Sequence, residues 1–261
     1  MPITCPITFS ATTKEAFSEL DYVVMAHAFA SHKELGRLAD EAIYQSDLAA
    51  RLQAAGFDVH REVPVTVTFR GFLKTYYLDL VVSAKGIYEL KTAARLTPEH
   101  EAQVMNYLFM LDCRRGKLVN FRPASVEWKF VNAPLTMAER RSFGVIHHRW
   151  KGDSTVRDWI VEMLRDWGTG LELPLYLQAI VHLLGGEEKV TQPRPMQRGG
   201  VDLGNQRFHL MAADTAFRVT AFENPPSQYE EHLKQLIRFS PLRATHWINI
   251  ARHQVTFTTI E

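Results

Sequence analysis

The sequence predicts an α/β fold. Two helical segments, three strand segments, a further helix and two more strands follow one another in the first half of the chain. A similar order of segments returns in the second half. The length of 261 residues, with 46% hydrophobic and 23% charged residues, is that of a globular protein with a substantial core.

The first two predicted helices cover residues 15–29 and about 34–55. Gly56 is expected to end the second helix, since glycine readily adopts the left-handed conformation found after helix ends. Glu41 and Tyr44 lie three residues apart on this helix and therefore share one face. The buried side of the helix is predicted to consist of Leu35, Leu38, Ala42, Ile43, Ala49 and Leu52.

Three strands are predicted after the helices, at residues 57–67, 76–82 and 86–92, because these stretches are rich in β-branched and aromatic residues. Turns are expected at Arg70-Gly71 and at residues 83–86. Further strands are predicted at 117–121 and 126–131.

The third predicted strand carries an acid and a base. Side chains alternate between the two faces of a strand, so Glu89 and Lys91 are expected on one face and Tyr88 and Leu90 on the other. Asp79 lies on the preceding strand. The alternative is that Glu89 and Lys91 form an exposed ion pair of no catalytic importance.

This combination of residues is typical of phosphodiester hydrolysis. Cutting a phosphodiester at neutral pH calls for a divalent cation such as Mg²⁺ or Mn²⁺, and hard cations prefer carboxylate oxygens. Asp79 and Glu89 are candidates for those ligands, with Glu41 as a third carboxylate. Lys91 is the candidate for orienting the attacking water or for neutralising charge on the scissile phosphate.

A helix is predicted from Thr97, a good N-cap followed by Pro98, to about Leu111. Gln103 and Tyr107 are four residues apart on it and share a face that is expected to turn toward the site. The alternatives are core packing for Tyr107 and a solvated surface position for Gln103.

Composition narrows the possible classes of function. The net charge of +1 means that any polyanion site must come from local clustering of basic residues. Two cysteines are too few for a disulfide framework, a four-cysteine zinc site or an iron–sulfur cluster, which favours a reducing cytoplasm. No apolar run is long enough to cross a membrane, and no signal peptide is recognisable.

Several stretches together resemble the GxxExxY family, a branch of the PD-(D/E)XK nuclease superfamily. They cover about residues 20–132 in the expected order: His32-Lys33-Glu34-Leu35-Gly36, Glu41-Ala42-Ile43-Tyr44, Arg61-Glu62-Val63-Pro64-Val65, Asp79, Tyr88-Glu89-Leu90-Lys91, the stretch from Leu96 to Gln103, and Asn120-Phe121.

The resemblance implies a restriction-endonuclease-like core, a central mixed sheet flanked by helices. It implies metal ligation by Glu41, Asp79 and Glu89, with Lys91 as the catalytic lysine. Gln103 and Tyr107 are similar to the QxxxY motif of RecB-like nucleases, which is expected to line the site and contact substrate. One position departs from the family pattern, because Leu38 stands where the first glycine of the name motif is expected, which makes Glu41 the least secure ligand.

The second half of the chain is predicted to repeat the first. A basic linker at residues 133–152 separates a domain at 1–132 from one at 153–261. Tyr176 follows Tyr44 by 132 residues, the strand pair around 208–221 follows its counterpart by 130, and Asn249 follows Asn120 by 129. The alternative is an unrelated accessory α/β domain.

A duplicated second copy is predicted to lack the chemistry. The repeat would place His209 at the position of Asp79, Val219 at that of Glu89, Ala221 at that of Lys91 and Leu173 at that of Glu41. Such a set offers no cage of carboxylates to a cation. The degenerate copy is expected to act as a built-in pseudo-dimer partner, and the oligomeric state of the whole chain is left open.

The sequence therefore predicts a Mg²⁺- or Mn²⁺-dependent nuclease that acts on DNA. Arg95, shortly after the Glu89–Lys91 strand, is the candidate for a phosphate contact, and Tyr107 for a nucleic-acid contact. Two alternatives stay open: a nucleic-acid-binding scaffold with little or no turnover, and a hydrolase of another phosphodiester. The many histidines show no metal-ligand spacing.

Overall fold

The computed structural model describes residues 2–261, which divide into two compact units. Unit 1 consists of residues 2–68 and 73–137, and unit 2 of residues 69–72 and 138–261. Each unit contains a six-stranded mixed sheet flanked by helices, so the predicted α/β class with a central mixed sheet is confirmed. No helix within residues 2–261 is both long and apolar enough to span a bilayer.

The first sheet has the strand order β1-β2-β3-β4-β5-β6. Strands β4 and β5 are parallel, whereas β3/β4 and β5/β6 are antiparallel. Its elements are β1 (Ile3–Thr4), α1 (Lys14–Leu35), α2 (Glu41–Ala54), β2 (Val59–Phe69), β3 (Phe72–Val82), β4 (Gly86–Lys91), α3 (Pro98–Met110), β5 (Arg115–Asn120) and β6 (Glu127–Asn132).

The core of unit 1 confirms the predicted faces of β4. Tyr88 and Leu90, both fully buried, pack in one cluster with apolar residues of α1 and α2 such as Val24 and Leu48. Glu89 and Lys91 alternate with them and are bonded to each other. Alternation along one strand thus separates a hydrophobic layer from a charged one.

The boundary between α1 and α2 differs from the prediction. The first helix continues to Leu35 and ends at Gly36, whose φ of 72° is readily reached only by glycine. The next helix begins at Glu41, so the predicted continuous helix from about 34 to 55 is wrong. Leu38 is 78% exposed and Ile43 50% exposed, because the shifted start turns the face of Tyr44 inward instead.

Helix α3 agrees with its prediction. It begins at Pro98 after the N-cap Thr97 and ends at Met110. The backbone N–H of Thr97 donates to Nδ1 of His100 at 3.2 Å, which satisfies one of the amides exposed at the helix start.

The second sheet has the order β7-β12-β11-β10-β9-β8. Its elements are α4 (Met137–Arg141), β7 (Gly144–Arg149), α5 (Ser154–Trp167), α6 (Leu173–Leu183), α7 (Glu187–Val190), β8 (Thr191–Arg198), β9 (Val201–Ala212), β10 (Thr215–Thr220), α8 (Tyr229–Arg238), β11 (Ala244–Ile250) and β12 (Gln254–Ile260).

The predicted linker at 133–152 contains regular structure, the helix α4 and the strand β7. Within it, β7 pairs in parallel with β12, and Arg140 is fully buried, with its guanidinium donating to the carbonyl oxygens of Trp167 and Thr169.

Five strands of each sheet share one topology, while the sixth strand differs, since β1 pairs antiparallel with β2 and β7 pairs in parallel with β12 at the opposite edge. Two helices, a hairpin, a third strand, a helix and two strands occur in the same order, and the β10/β11 pair is parallel like β4/β5. Tyr44 donates to the carbonyl oxygen of Gly36 at 2.6 Å, and Tyr176 donates to that of Gly168 at 2.5 Å. Shared bonds at shared positions support the predicted duplication.

A second shared bond fixes the alignment of the strands. Asn120 accepts from the N–H and donates to the carbonyl of Ala93, and Asn249 does the same with Phe222. Since Lys91 pairs with Asn120 and Thr220 with Asn249, Thr220 occupies the position of Lys91.

The same register places Arg218 at the position of Glu89. The sequence comparison had matched Lys91 with Ala221 and Glu89 with Val219. Both matches are wrong by one residue. The second copy still lacks the chemistry of the first at these positions, since Arg218 stands in place of the Glu89 carboxylate and Thr220 in place of the Lys91 ammonium.

Candidate functional site

The candidate site is centred on the ammonium group of Lys91. Its Nζ lies 2.5 Å from Oε1 of Glu89, 3.9 Å from Oε1 of Glu41 and 4.0 Å from Oδ2 of Asp79. The structure thus brings together four residues that the sequence singled out. Glu89 is 1% exposed, so the alternative of an exposed ion pair on the strand surface is wrong.

Neighbouring strands place the two central carboxylates at one level of the sheet. Leu80 of β3 pairs with Tyr88 of the antiparallel strand β4. Asp79 directly precedes Leu80 and Glu89 directly follows Tyr88, so the two acids lie side by side. Oδ2 of Asp79 accepts a hydrogen bond from the backbone N–H of Leu90 at 2.8 Å. This bond fixes the Asp79 side chain against β4.

The site holds its carboxylates in an environment that disfavours their charge. Burial, together with the neighbouring Glu41 and Glu62, raises the pKa of Asp79 to about 6 despite the Leu90 N–H and Lys91. Burial and the charge of Asp79 raise the pKa of Glu89 to about 8, although Lys91 lowers it. Crowded, desolvated carboxylates of this kind gain from a cation placed between them.

A buried glutamine supports the site and was not identified from the sequence. Nε2 of Gln45 donates to the carbonyl oxygen of Asp79 at 2.8 Å and to Oε1 of Glu62 at 2.6 Å, while its Oε1 accepts from Arg61. Glu62 has a φ of 48°, which is unusual for a residue with a side chain. The signal in the sequence that could have identified Gln45 is its place directly after Tyr44, on the side of α2 that faces the core.

The loop after Lys91 is fixed by polar residues of β5 and β6. Asn120, which is fully buried, bonds both backbone groups of Ala93 at 3.1 and 2.8 Å. Oε2 of Glu127 accepts from Asn120 at 3.1 Å and from the N–H of Leu96 at 3.3 Å. The course of the chain just beyond the candidate lysine is therefore held by side chains.

Arg122 connects the two loops that flank the site. Its Nε donates to the carbonyl oxygen of Thr92 at 3.1 Å, and its Nη1 donates to that of Arg37 at 3.0 Å. Thr92 directly follows Lys91, and Arg37 lies in the segment that leads into Glu41. The Arg122 guanidinium thus holds together the segment that follows Lys91 and the segment that leads into Glu41.

Gln103 and Tyr107 form a pair on α3. Nε2 of Gln103 donates to the hydroxyl oxygen of Tyr107 at 3.0 Å, and the Tyr107 ring lies edge-on to that of Tyr76 with 6.3 Å between centroids. Tyr107 is 4% exposed and Gln103 half-buried, so the predicted shared face is confirmed. Their contact with substrate stays a prediction.

Arg95 follows β4 at an exposed position. Within residues 2–261, no carboxylate lies close enough to form an ion pair with it. An exposed guanidinium without a carboxylate partner is available to a phosphate, and the phosphate contact of Arg95 stays a prediction.

The side chains around Lys91 are carboxylates, the ligands that a hard divalent cation prefers. Within residues 2–261, no three or more His, Cys, Asp or Glu side chains are grouped so that they could hold a metal ion, and the Lys91 ammonium lies within 4.0 Å of all three carboxylates. Oε2 of Glu89 is buried and has no hydrogen-bond partner. A buried carboxylate oxygen without a partner is costly, and a hard cation such as Mg²⁺ or Mn²⁺ would satisfy it, so the chemistry of these donors suits such an ion although they are not grouped around one.

Comparison with known proteins bears on the same segment. Residues 18–131, which include all four site residues, match the family model of the PD-(D/E)XK nuclease superfamily. This segment is similar to the PD-(D/E)XK nucleases. The matched residues lie almost entirely in unit 1.

Other comparisons add little about function. The crystal structure of SSO0001 matches at 20% sequence identity and a TM-score of 0.30, covering 46% of this chain and 61% of that chain. At that score the likeness supports no argument. No curated protein matches the chain.

Proposed function

We propose that unit 1 is a divalent-cation-dependent nuclease that hydrolyses phosphodiester bonds in DNA. The observation that carries the proposal is the position of Lys91 within 4.0 Å of Glu41, Asp79 and Glu89. A lysine beside buried acids supplies both cation ligands and a positive charge at one point. The match of residues 18–131 to a nuclease superfamily supports the same conclusion.

Each residue is given a role that its position supports. Asp79 and Glu89 would hold the cation, and Glu41, at the start of α2, would complete its ligand set. The bound cation would supply Lewis-acid activation of the phosphate and a more acidic water. Lys91 would orient the attacking water and balance the charge that builds up on the phosphate oxygens.

The helix pair and the exposed arginine would act on the substrate. Gln103 and Tyr107, joined by their hydrogen bond, would line the site and orient the nucleic acid, with the Tyr107 hydroxyl as a contact. Arg95 would bind a backbone phosphate. Membership in the GxxExxY branch stays a prediction, since Gly36, five residues before Glu41, is the nearest preceding glycine.

Cleavage assays test the proposal directly. The purified full chain is incubated with labelled single- and double-stranded DNA and RNA in Mg²⁺, in Mn²⁺ or in EDTA. We expect DNA cleavage that needs the cation and that falls about 100-fold or more in Lys91→Ala, the size of effect seen when one charge-stabilising group is removed. Cleavage by Lys91→Ala at the wild-type rate contradicts the assignment.

Lys129→Ala is the matched control. Lys129 also pairs with a glutamate, Glu101 at 2.6 Å, but its side chain is 54% exposed and lies outside the cluster. Its replacement is expected to leave cleavage unchanged.

A nucleic-acid-binding scaffold is the second candidate. Duplex binding that persists in EDTA and in Asp79→Ala, without cleavage under any condition, favours it. The free thiols of Cys5 and Cys113 support the predicted cytoplasmic location.

A further inference from the structure

The hairpin formed by β8 and β9 in unit 2 is an exposed two-stranded ribbon, here called the β8–β9 arm (residues 191–207). Its strands meet at Gly199-Gly200, with φ of 59° and 80°, and residues 197–207 are all exposed. Val201 and Leu203 are 60% and 54% exposed. The tip of the arm, residues 197–207, is solvated on both faces and buries little apolar surface of its own, which is typical of an element that binds a partner.

The charge of the arm indicates which partner it fits. It carries Arg194, Arg198 and Arg207. None of the three has a carboxylate partner within residues 2–261. Asp202 is the one acidic residue of the arm, and its Oδ1 accepts from the backbone N–H of Gly204 at 2.8 Å. Arg198 and Arg207 are exposed, whereas Arg194 is half-buried and donates to the carbonyl oxygen of Pro193 at 3.0 Å. The positive charges of the three arginines are therefore not neutralised by a carboxylate of the described residues and can attract an anion.

The positive surface continues onto the neighbouring strand. Arg218 on β10 occupies the position that Glu89 has in unit 1, and it also lacks a carboxylate partner among the described residues. Burial lowers the pKa of His209, which lies on β9 next to the arm, and the charges of Arg218 and Arg207 lower it further, although Glu187 raises it. Arg218 thus adds a positive charge at the position where the first copy of the fold carries the acidic Glu89.

We propose that the β8–β9 arm and Arg218 bind the phosphate backbone of duplex DNA. The two-stranded ribbon has the dimensions that the major groove of DNA admits, and arginine is well suited to phosphate. The inference rests on the proposed function, since it assigns to unit 2 the holding of the duplex that unit 1 cuts.

The test is a binding measurement that needs no catalysis. Fluorescence anisotropy with a labelled duplex in EDTA compares the full-length wild type with the triple variant Arg194→Gln, Arg198→Gln, Arg207→Gln. We expect Kd to rise about tenfold or more at low salt, and the slope of log K against log salt to become shallower by about 2 to 3, which corresponds to three lost phosphate contacts. None of the three arginines forms an ion pair among the described residues, and Arg194 donates only to the carbonyl oxygen of the adjacent Pro193, so folding is expected to be unchanged by circular dichroism.

A second triple variant controls for net charge. Lys151→Gln, Arg157→Gln, Arg243→Gln removes the same charge from unit 2 at residues that pair with Glu261, Asp158 and Asp214. It is expected to bind the duplex like the wild type. Replacing the three arm arginines by lysine is expected to restore most of the affinity, because phosphate contacts depend mainly on charge.

The outcomes separate the two proposals. If the wild type cuts DNA and the arm variant binds duplex as tightly as the wild type, the arm proposal is wrong while the nuclease proposal stands. An equal loss in both triple variants, or a loss confined to single-stranded DNA or to RNA, also contradicts it. If the wild type cuts no DNA but the arm variant alone loses duplex affinity, the arm proposal stands and the nuclease proposal fails.

Discussion

Gln45 Nε2 lies 2.8 Å from the backbone carbonyl oxygen of Asp79 and so ties α2 to β3 beside the candidate metal ligand. Gln45→Leu is expected to destabilise the protein by about 1–3 kcal/mol, because a buried carbonyl and Glu62 lose their donor. Urea unfolding measures this cost. Metal titration should show weaker binding as well, since the position of Asp79 depends on the bond.

Gln53→Leu is the control for that substitution. Gln53 lies on the same helix and donates to Val59 through a longer bond of 3.3 Å from an exposed position. We expect little change in stability or in metal affinity. If both variants behave alike, Gln45 has no special role in positioning Asp79.

The paired asparagines allow the two copies to be compared within one chain. Asn120→Asp and Asn249→Asp each remove the donor to the carbonyl of Ala93 or Phe222, at 2.8 and 2.9 Å. Each is expected to destabilise the protein by about 1–3 kcal/mol. Only Asn120→Asp should also reduce DNA cleavage, because its loop follows Lys91. Equal losses of cleavage in both variants, at matched stability, would show that the effect is global.

Asp21 and Lys117 form a buried ion pair whose loss can be measured. Their side-chain atoms lie 2.6 Å apart, with 9% and 2% exposed, and the Lys117 ammonium lies 4.0 Å from the centroid of the Trp128 ring. Burial raises the pKa of Asp21 and lowers that of Lys117, so each charge depends on the other. Lys117→Met alone is expected to cost about 3–5 kcal/mol.

The double variant Lys117→Met, Asp21→Asn is expected to recover much of that loss, since no buried charge is left without a partner. Chemical denaturation of the wild type, both single variants and the double variant gives the coupling. Additive losses would show that the two groups do not depend on each other.

His246 predicts a dependence of stability on pH. Burial, with Arg243 nearby and despite Glu261, lowers its pKa to about 4, against about 6.5 in an unfolded chain. Between these values the unfolded state binds more protons, so stability falls as the pH drops from about 6.5 to about 4 and is unaffected by this group above 6.5. The contribution is on the order of 3 kcal/mol.

Urea unfolding across that pH range checks the prediction. His246→Gln should flatten the dependence, whereas His253→Gln, at an exposed position, should leave it unchanged. An unaltered slope in His246→Gln would assign the acid sensitivity to other groups.

Local patterns predicted the parts of the structure that local physics determines. Alternation along β4 separated Glu89 and Lys91 from Tyr88 and Leu90, and the Thr97-Pro98 start of α3 was correct, because strand pleating and helix capping act over a few residues. The grouping of Asp79 with Glu89 followed from their places on successive strands.

Tertiary packing determined what the sequence did not predict. Apolar character placed Leu38 and Ile43 in the core, yet the turn at Gly36 leaves both exposed. The basic segment after residue 132 was predicted as a linker. It contains the strand β7, which the sequence did not reveal because β7 pairs with the distant strand β12. Gln45 and Arg122 were missed because their importance lies in partners distant in sequence.

The replacement of Glu89 by Arg218 at matching positions has a consequence for stoichiometry. Within residues 2–261 only the first copy carries the acidic cluster, so, if unit 1 is the nuclease proposed above, one molecule would hydrolyse one strand at a time. On supercoiled plasmid, open circles should therefore accumulate before linear molecules do, and linear product should depend on a second, independent cut. In this respect the chain would work as a nicking enzyme, although its fold is present twice.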